Sequence, residues 1–154
     1  MKKTPANLQR LDPSEELEFL KEIHGEDYGK LFASMREAFA ILQTRSQMLL
    51  GLATICLTIT GFSGPRMAAS NAFSRFFIGF GLSFVLAAVI AVVAGPLRFR
   101  WVTSWRAETL DETLVENICR RDSKTRWYRI ATFLLLIGLT GYLLSLICYL
   151  SVVK

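Results

Sequence analysis

The stretch FFIGFGLSFVLAAVIAVVAGPL, residues 76–97, decides the fold of this chain. It contains no Asp, Glu, Lys, Arg or His and has about the 20 residues that a helix needs to cross the hydrocarbon core of a bilayer. On a helix, small side chains at every fourth position form a ridge that lets a second helix approach closely in lipid. Such a ridge is present at Gly79, Ser83, Ala87, Ala91 and Gly95. We predict a transmembrane helix that packs on this ridge and turns a bulky face to the lipid, formed by Phe77, Phe80, Phe84, Val85 and Val92.

Two further windows without charged residues or histidine, 46–65 and 130–153, are also long enough to span a membrane. The chain is 52% hydrophobic and its mean hydropathy is +0.36, which is high for a soluble domain. The alternative is a soluble protein with three buried helices, but such helices are seldom uncharged over these lengths. The sequence therefore predicts an all-α integral membrane protein with three transmembrane helices and short cytoplasmic amphipathic helices.

The charged residues are unevenly placed along the chain and predict its topology. Lys and Arg number seven before the first span, two at 66–75, eight at 98–129 and one at the C-terminus. The positive-inside rule then places residues 1–45 and 98–129 in the cytoplasm, and the 63–75 connection and the C-terminus outside. We expect no secretory signal peptide, because the first apolar run follows about 45 mostly polar residues.

The cytoplasmic segments carry patterns of short helices. Asp12-Pro13-Ser14-Glu15 predicts a helix start, and Gly25 a helix end. A second helix is expected to begin near Asp27 and to continue into the first span, and a third to begin near Thr109 or Asp111. We expect two apolar stripes to pack together beneath the bilayer, namely Leu31, Met35 and Phe39 with Leu110, Leu114 and Ile118. The alternative is a helix that lies on the lipid surface.

Small and hydroxyl residues also mark the two other spans. In the first span they are Gly51, Thr54 and Thr58, which predict either packing with hydroxyls bonded within the helix or a face that lines a pore. The sequence Gly61-Phe62-Ser63-Gly64-Pro65 predicts the end of this helix. The third span carries a further packing face at Gly138, Gly141 and Ser145.

Basic and aromatic residues flank the spans on the cytoplasmic side and predict anchors to lipid headgroups. These are Arg98, Arg100, Trp101, Trp105, Arg126, Trp127 and Arg129. An alternative interpretation of the neighbouring cluster, which includes Arg120, Arg121 and Lys124, is a binding site for a nucleic acid or a nucleotide. We favour the lipid anchor and expect no nucleic-acid partner.

The sequence shows no pattern of a catalytic or metal site. No G-x-S-x-G, Walker-type loop, C-x-x-C or H-E-x-x-H occurs, and the single histidine, His24, has no clear partner set. We therefore expect no enzyme activity, no cofactor and no metal, and we interpret the three cysteines as small apolar fillers. The spans hold none of the charged groups that ion-coupled carriers keep within the membrane.

The layout resembles a family of bacterial membrane proteins. A long helix enters the first span through Gln43-Thr44-Arg45-Ser46-Gln47-Met48-Leu49-Leu50-Gly51, the second span ends at Pro96, and the last is entered through Lys124-Thr125-Arg126-Trp127-Tyr128-Arg129. Over about residues 30–153 this is similar to the small membrane effector modules of anti-phage signalling, the SLATT and Pycsar-type families. The resemblance implies a multi-pass protein of the bacterial inner membrane that permeabilises it when a nucleotide signal is sensed. The chain departs from those families because it has no recognisable sensor domain, and no site residue carries over.

Helix association is the property that the sequence predicts best. Three helices cannot easily satisfy all of these small-residue faces within one protomer, so we expect a homo-oligomer or a complex with a partner membrane subunit. The main hypothesis is a pore-forming or membrane-perturbing effector, with Gly51, Thr54 and Thr58 around the pore. The alternative is a non-catalytic accessory or scaffold subunit of a larger membrane complex.

Overall fold

The computed structural model describes residues 11–25, 27–97 and 107–152, and these ranges form four α-helices and no strand. The helices are α1 (Pro13–His24), α2 (Tyr28–Ser70), α3 (Ala72–Ala94) and α4 (Leu110–Val152). Three of them, α2, α3 and α4, are long and apolar enough to cross a membrane. The structure thus confirms an all-α chain with three helices suited to span a bilayer.

The short helix α1 has the ends that the sequence predicts. The backbone N–H of Asp12 donates to the Glu15 carboxylate at 3.0 Å, and Pro13 occupies the first helical position. Gly25 ends the helix with φ +65°, a left-handed conformation that costs glycine little and other residues more.

The second helix is longer than predicted. It begins where the Asp27 carboxylate accepts hydrogen bonds from the backbone of Gly29 and Lys30, at 3.0 and 3.3 Å. It then continues for 43 residues, so the predicted helix end at 61–65 is wrong and Pro65 lies inside the helix. Neighbouring helices allow proline within transmembrane helices, and here Gly64 and Met67, on either side of Pro65, are both buried.

The turn between α2 and α3 is a single residue, Asn71. Its backbone is extended, with φ −158° and ψ 149°, and its side chain accepts a hydrogen bond from the Phe73 N–H at 3.4 Å. The helix α3 therefore begins at Ala72, four residues before the predicted span, and ends at Ala94.

The fourth helix joins the predicted cytoplasmic helix and the third span into one rod of 43 residues. It begins with a reciprocal cap, in which the Thr109 N–H donates to the Glu112 carboxylate and the Glu112 N–H to the Thr109 hydroxyl, both at 3.2 Å. At 1.5 Å per residue, α2 and α4 each extend about 30 Å beyond the spans on one side. We call this extension, residues 28–45 and 110–129 with α1, the stalk.

Two apolar clusters hold the helices together. Among the spans, buried Ala53 of α2, Val92 of α3 and Leu135 of α4 belong to one cluster. In the stalk, Leu17 of α1 is buried with residues of α2 and α4, namely Leu31, Met35, Leu114 and Ile118. The spans and the stalk thus have separate cores.

Candidate functional site

The helices α3 and α4 are in close contact at Gly81, Gly138 and Gly141. A Cβ atom at Gly81 would lie 2.8 Å from the carbonyl oxygen of Gly138, and one at Gly138 would lie 2.9 Å from that of Gly81. Neither position has room for a side chain, so the two backbones are in direct contact. We call this contact surface the seam. It is the kind of close approach that small residues permit in lipid, where van der Waals packing drives association.

Two serines join the helices at one end of the seam. The hydroxyls of Ser74 and Ser145 lie 2.9 Å apart, and the Ser145 hydroxyl donates to the Ser74 carbonyl at 3.0 Å. Both side chains are fully buried. Hydroxyls that bond across helices in this way fix the register of one helix on the other.

Buried small residues of the seam, besides Gly141, recur every seven positions. They are Ser74, Gly81 and Ala88 of α3, Gly95 directly after α3, and Ala131, Gly138 and Ser145 of α4. All seven are buried, and Gly95 lies directly against the Cβ of Trp127. A repeat of seven keeps one face toward a partner along the helix, as in left-handed coiled coils. The seam is therefore an antiparallel two-helix packing.

The ridge predicted on α3 only partly coincides with this seam. Ala91 and Gly95 are buried, Ala87 is half-buried, and Gly79 and Ser83 are exposed on the protomer. Val85 and Val92, expected to face lipid, are instead 5% and 0% exposed, so that part of the prediction is wrong. Ser74, Gly81 and Ala88 are not among the residues predicted to pack, although their seven-residue spacing indicates a common face. The predicted residues of α4, Gly138, Gly141 and Ser145, all lie in the seam.

The predicted pore-lining residues of α2, Gly51, Thr54 and Thr58, are all exposed on the protomer. Their hydroxyls bond within the helix, from Thr54 to the Leu50 carbonyl and from Thr58 to the Thr54 carbonyl, both at 2.9 Å. A Cβ atom at Gly51 would meet nothing within 4 Å. All three residues thus lie on the exposed surface of the protomer.

These residues belong to a longer row on the same side of α2, which we call the α2 stripe. Its members are small or polar, are three or four positions apart, and are all exposed. They are Arg36, Ala40, Thr44, Gln47, Gly51, Thr54, Thr58, Gly61 and Pro65. Within residues 46–65, the other exposed side chains of α2 are bulky and apolar, namely Met48, Leu52, Ile55, Ile59 and Phe62. Over this window the exposed face of α2 is thus divided lengthwise into two unlike halves.

In the stalk, the structure brings together four of the six residues predicted to pack there. Leu31 and Met35 of α2 contact Leu114 and Ile118 of α4 in one buried cluster, with Leu17 of α1 as an additional member. Phe39 is half-buried, and the Lys124 ammonium lies 5.4 Å from its ring centroid. Leu110 is 44% exposed.

Ion pairs hold α1 against α4. The Arg121 guanidinium binds both oxygens of the Glu16 carboxylate, at 2.6 and 2.8 Å. At the other end of α1, Asp111 accepts hydrogen bonds from the Lys21 ammonium at 2.6 Å and from the Tyr28 hydroxyl at 3.0 Å. These hydrogen bonds, with that of Lys21 the stronger, lower the pKa of the Asp111 carboxyl.

The basic cluster of α4 is largely engaged with acidic side chains. Arg120 bonds Glu116 at 2.9 Å, and Arg121 bonds Asp122 at 2.8 Å in addition to Glu16. Burial lowers the pKa of Lys124, since it disfavours the charged form. Carboxylates thus compete directly with any phosphate that would approach this cluster.

Three of the predicted headgroup anchors lie in the described part of the chain. Arg126, Trp127 and Arg129 are exposed on α4, where the stalk meets the third span. The other four, Arg98, Arg100, Trp101 and Trp105, lie outside the described residues. Within the described residues, no three His, Cys, Asp or Glu side chains gather as metal ligands would.

Comparison with protein-family models, with curated proteins and with solved structures found no match for this chain. The functional interpretation therefore depends on the geometry of the chain itself.

Proposed function

We propose that this protein assembles into a homo-oligomer in a bacterial inner membrane and permeabilises it, with the α2 stripes of its protomers around a common axis. The observation that carries this proposal is the lengthwise division of the exposed face of α2 within residues 46–65. One half is built of large apolar side chains that suit lipid, and the other of glycine, threonine and glutamine.

The stripe is poorly suited to face lipid tails. Glycines such as Gly51 and Gly61 present backbone there rather than apolar side chain, and Gln47 brings an amide that costs free energy without a hydrogen-bond partner. Around a central axis, the same residues would border a narrow passage lined by hydroxyls and short side chains. Such constrictions conduct or close by wetting and dewetting.

The composition of the spans favours passive conduction. Residues 46–65, 76–97 and 130–153 contain no Asp, Glu, Lys, Arg or His. Ion-coupled carriers usually depend on such groups at depth, because coupling needs charge that is moved or neutralised.

We propose that the stalk lies in the cytoplasm and the turn at Asn71 outside, as the distribution of basic residues favours. Function as an anti-phage effector is part of this proposal, supported by the resemblance in layout.

The test is ion flux from liposomes that contain the purified full chain. The double variant Thr54→Leu/Thr58→Leu fills the stripe with bulk and is expected to abolish most of the flux. Its matched control is Ile55→Leu/Ile59→Leu, which changes two apolar residues on the other half of the same exposed face and is expected to conduct normally. Absence of flux from an inserted wild-type oligomer, or equal flux from both double variants, would overturn the pore.

The second candidate function is an accessory subunit of a larger membrane complex. It is favoured by Phe19 and Ile23 of α1, which are 50% and 57% exposed and offer an apolar surface to another protein. The mass of the complex, extracted with its lipids, separates the two functions. A single protomer bound to a different membrane protein supports the accessory subunit, whereas a ring of identical chains supports the pore.

A further inference from the structure

The charges around the α2 stripe have one sign on the side of the membrane where α2 turns into α3. Arg66 directly follows Pro65, the last residue of the stripe, and Arg75 lies in the first turn of α3. Both are exposed, and Arg75 donates to the Ala68 carbonyl at 3.3 Å. The chain has no Asp or Glu between Glu37 and Glu108, so no side-chain carboxylate from α2 or α3 lies on this side.

At the other end of the stripe, in the stalk, the charged member is Arg36. It precedes Thr54 by eighteen positions, which is about five helical turns, so both lie on one side of α2. Glu37 is displaced from that line by about 100° and Arg66 by about 120°, so both lie beside the stripe. Arg45 lies on the opposite side of the helix, about two and a half turns from Thr54. Arg36 is therefore the ionisable member of the stripe, and it is positive.

We propose that the pore described above, on whose existence this inference depends, conducts small inorganic anions in preference to cations. With α2 stripes around an axis, each protomer contributes Arg36 to a ring at the stalk end, with Glu37 beside it. At the opposite mouth, Arg66 and Arg75 contribute positive charge where α2 and α3 carry no carboxylate. Rings of arginine select anions in membrane pores. A cleft lined by charge of one sign raises the local concentration of the opposite ion about tenfold or more.

The experiment is a measurement of reversal potential in a planar bilayer of zwitterionic lipid with a gradient of potassium chloride. The wild-type chain is expected to reverse near the equilibrium potential of chloride. The variants Arg36→Gln and Arg66→Gln/Arg75→Gln remove charge from one mouth each, and together they are expected to lower the ratio of chloride to potassium permeability about tenfold.

The matched control is Arg45→Gln, which makes the same chemical change on the opposite side of α2 and is expected to leave the ratio unchanged. Conduction without anion preference, or with cation preference, overturns this inference and leaves the pore standing. An unchanged ratio of chloride to potassium permeability in the neutralised variants also overturns this inference and leaves the pore standing. That result is expected if Arg66 and Arg75 only bind anionic headgroups in the native membrane. A membrane-inserted oligomer that carries no current overturns both the pore and its selectivity.

Discussion

The seam and the α2 stripe are built from the same kinds of residue and are used in opposite ways. In the seam, Gly81 and Gly138 bring two backbones into contact, and Ser74 and Ser145 bond across the helices. In the stripe, a Cβ atom added at Gly51 would meet nothing within 4 Å, and the Thr54 and Thr58 hydroxyls bond to their own helix. Small residues alone therefore do not show which face holds the protomer together. The distinguishing observations are the burial of the face and the helix to which its hydroxyls bond.

The largest expected effect is steric and belongs to the seam. Gly81→Ala would place a methyl group 2.8 Å from the Gly138 carbonyl oxygen, a contact with backbone that cannot move aside. Overpacking of this kind is expected to lower the free energy of unfolding by about 2–3 kcal/mol. Denaturant titration in mixed micelles measures it.

Gly79→Ala is the matched control, since a Cβ atom there meets nothing within 4 Å in the same helix. Its effect on the protomer is expected to stay within about 1 kcal/mol, the scale of helix propensity. If Gly79→Ala and Gly81→Ala lowered the free energy of unfolding equally, the close contact of α3 would lie on the other side of the helix, along the predicted ridge.

The next effect concerns the serine pair. A double-mutant cycle of Ser74→Ala and Ser145→Ala is expected to give a coupling energy of about 0.6 kcal/mol and at most about 1.7, the range measured for hydrogen bonds between transmembrane helices. Ser83→Ala, which removes an exposed hydroxyl bonded to the Gly79 carbonyl of its own helix at 2.8 Å, serves as the control. A cycle with no coupling would mean that the two hydroxyls do not bond each other in the membrane.

The sequence predicted the class of the fold and the starts of α1, α2 and α4, because each depends on local chemistry. Uncharged length identifies a span, and side-chain capping identifies a helix start, as at Asp12, Asp27 and Thr109. The prediction that α2 ends near Pro65 was wrong, because proline indicates a helix end only from the local sequence. A transmembrane helix can continue through proline when neighbouring helices pack against it. The residues at 61–70 continue α2 with Gly64 and Met67 buried, which no local pattern indicates.

The predicted ridge and the seam differ for a geometric reason. Four residues exceed one helical turn by about 40°, so a row from Gly79 to Gly95 turns about 160° around a straight helix. Seven residues fall short of two turns by about 20°, so the row from Ser74 to Gly95 turns only about 60° and stays on one side. Of the four-residue ridge, only Gly95 belongs to the seam, and Ala91 is buried in the core of the spans. A long straight contact between two helices selects the repeat of seven.

The smallest expected effect tests the stripe itself. The Thr58 hydroxyl donates to the Thr54 carbonyl, which its own helix already uses as a backbone acceptor, so Thr58→Ala leaves no polar group without a partner. The free energy of unfolding of the protomer is expected to change by less than about 0.5 kcal/mol, as for exposed positions in general. A loss as large as that from Ser145→Ala would mean that Thr58 packs against protein within one protomer. The stripe would then not be free to face an axis. The seam and the stripe would no longer differ in burial at Thr58, a position that the pore requires to be exposed.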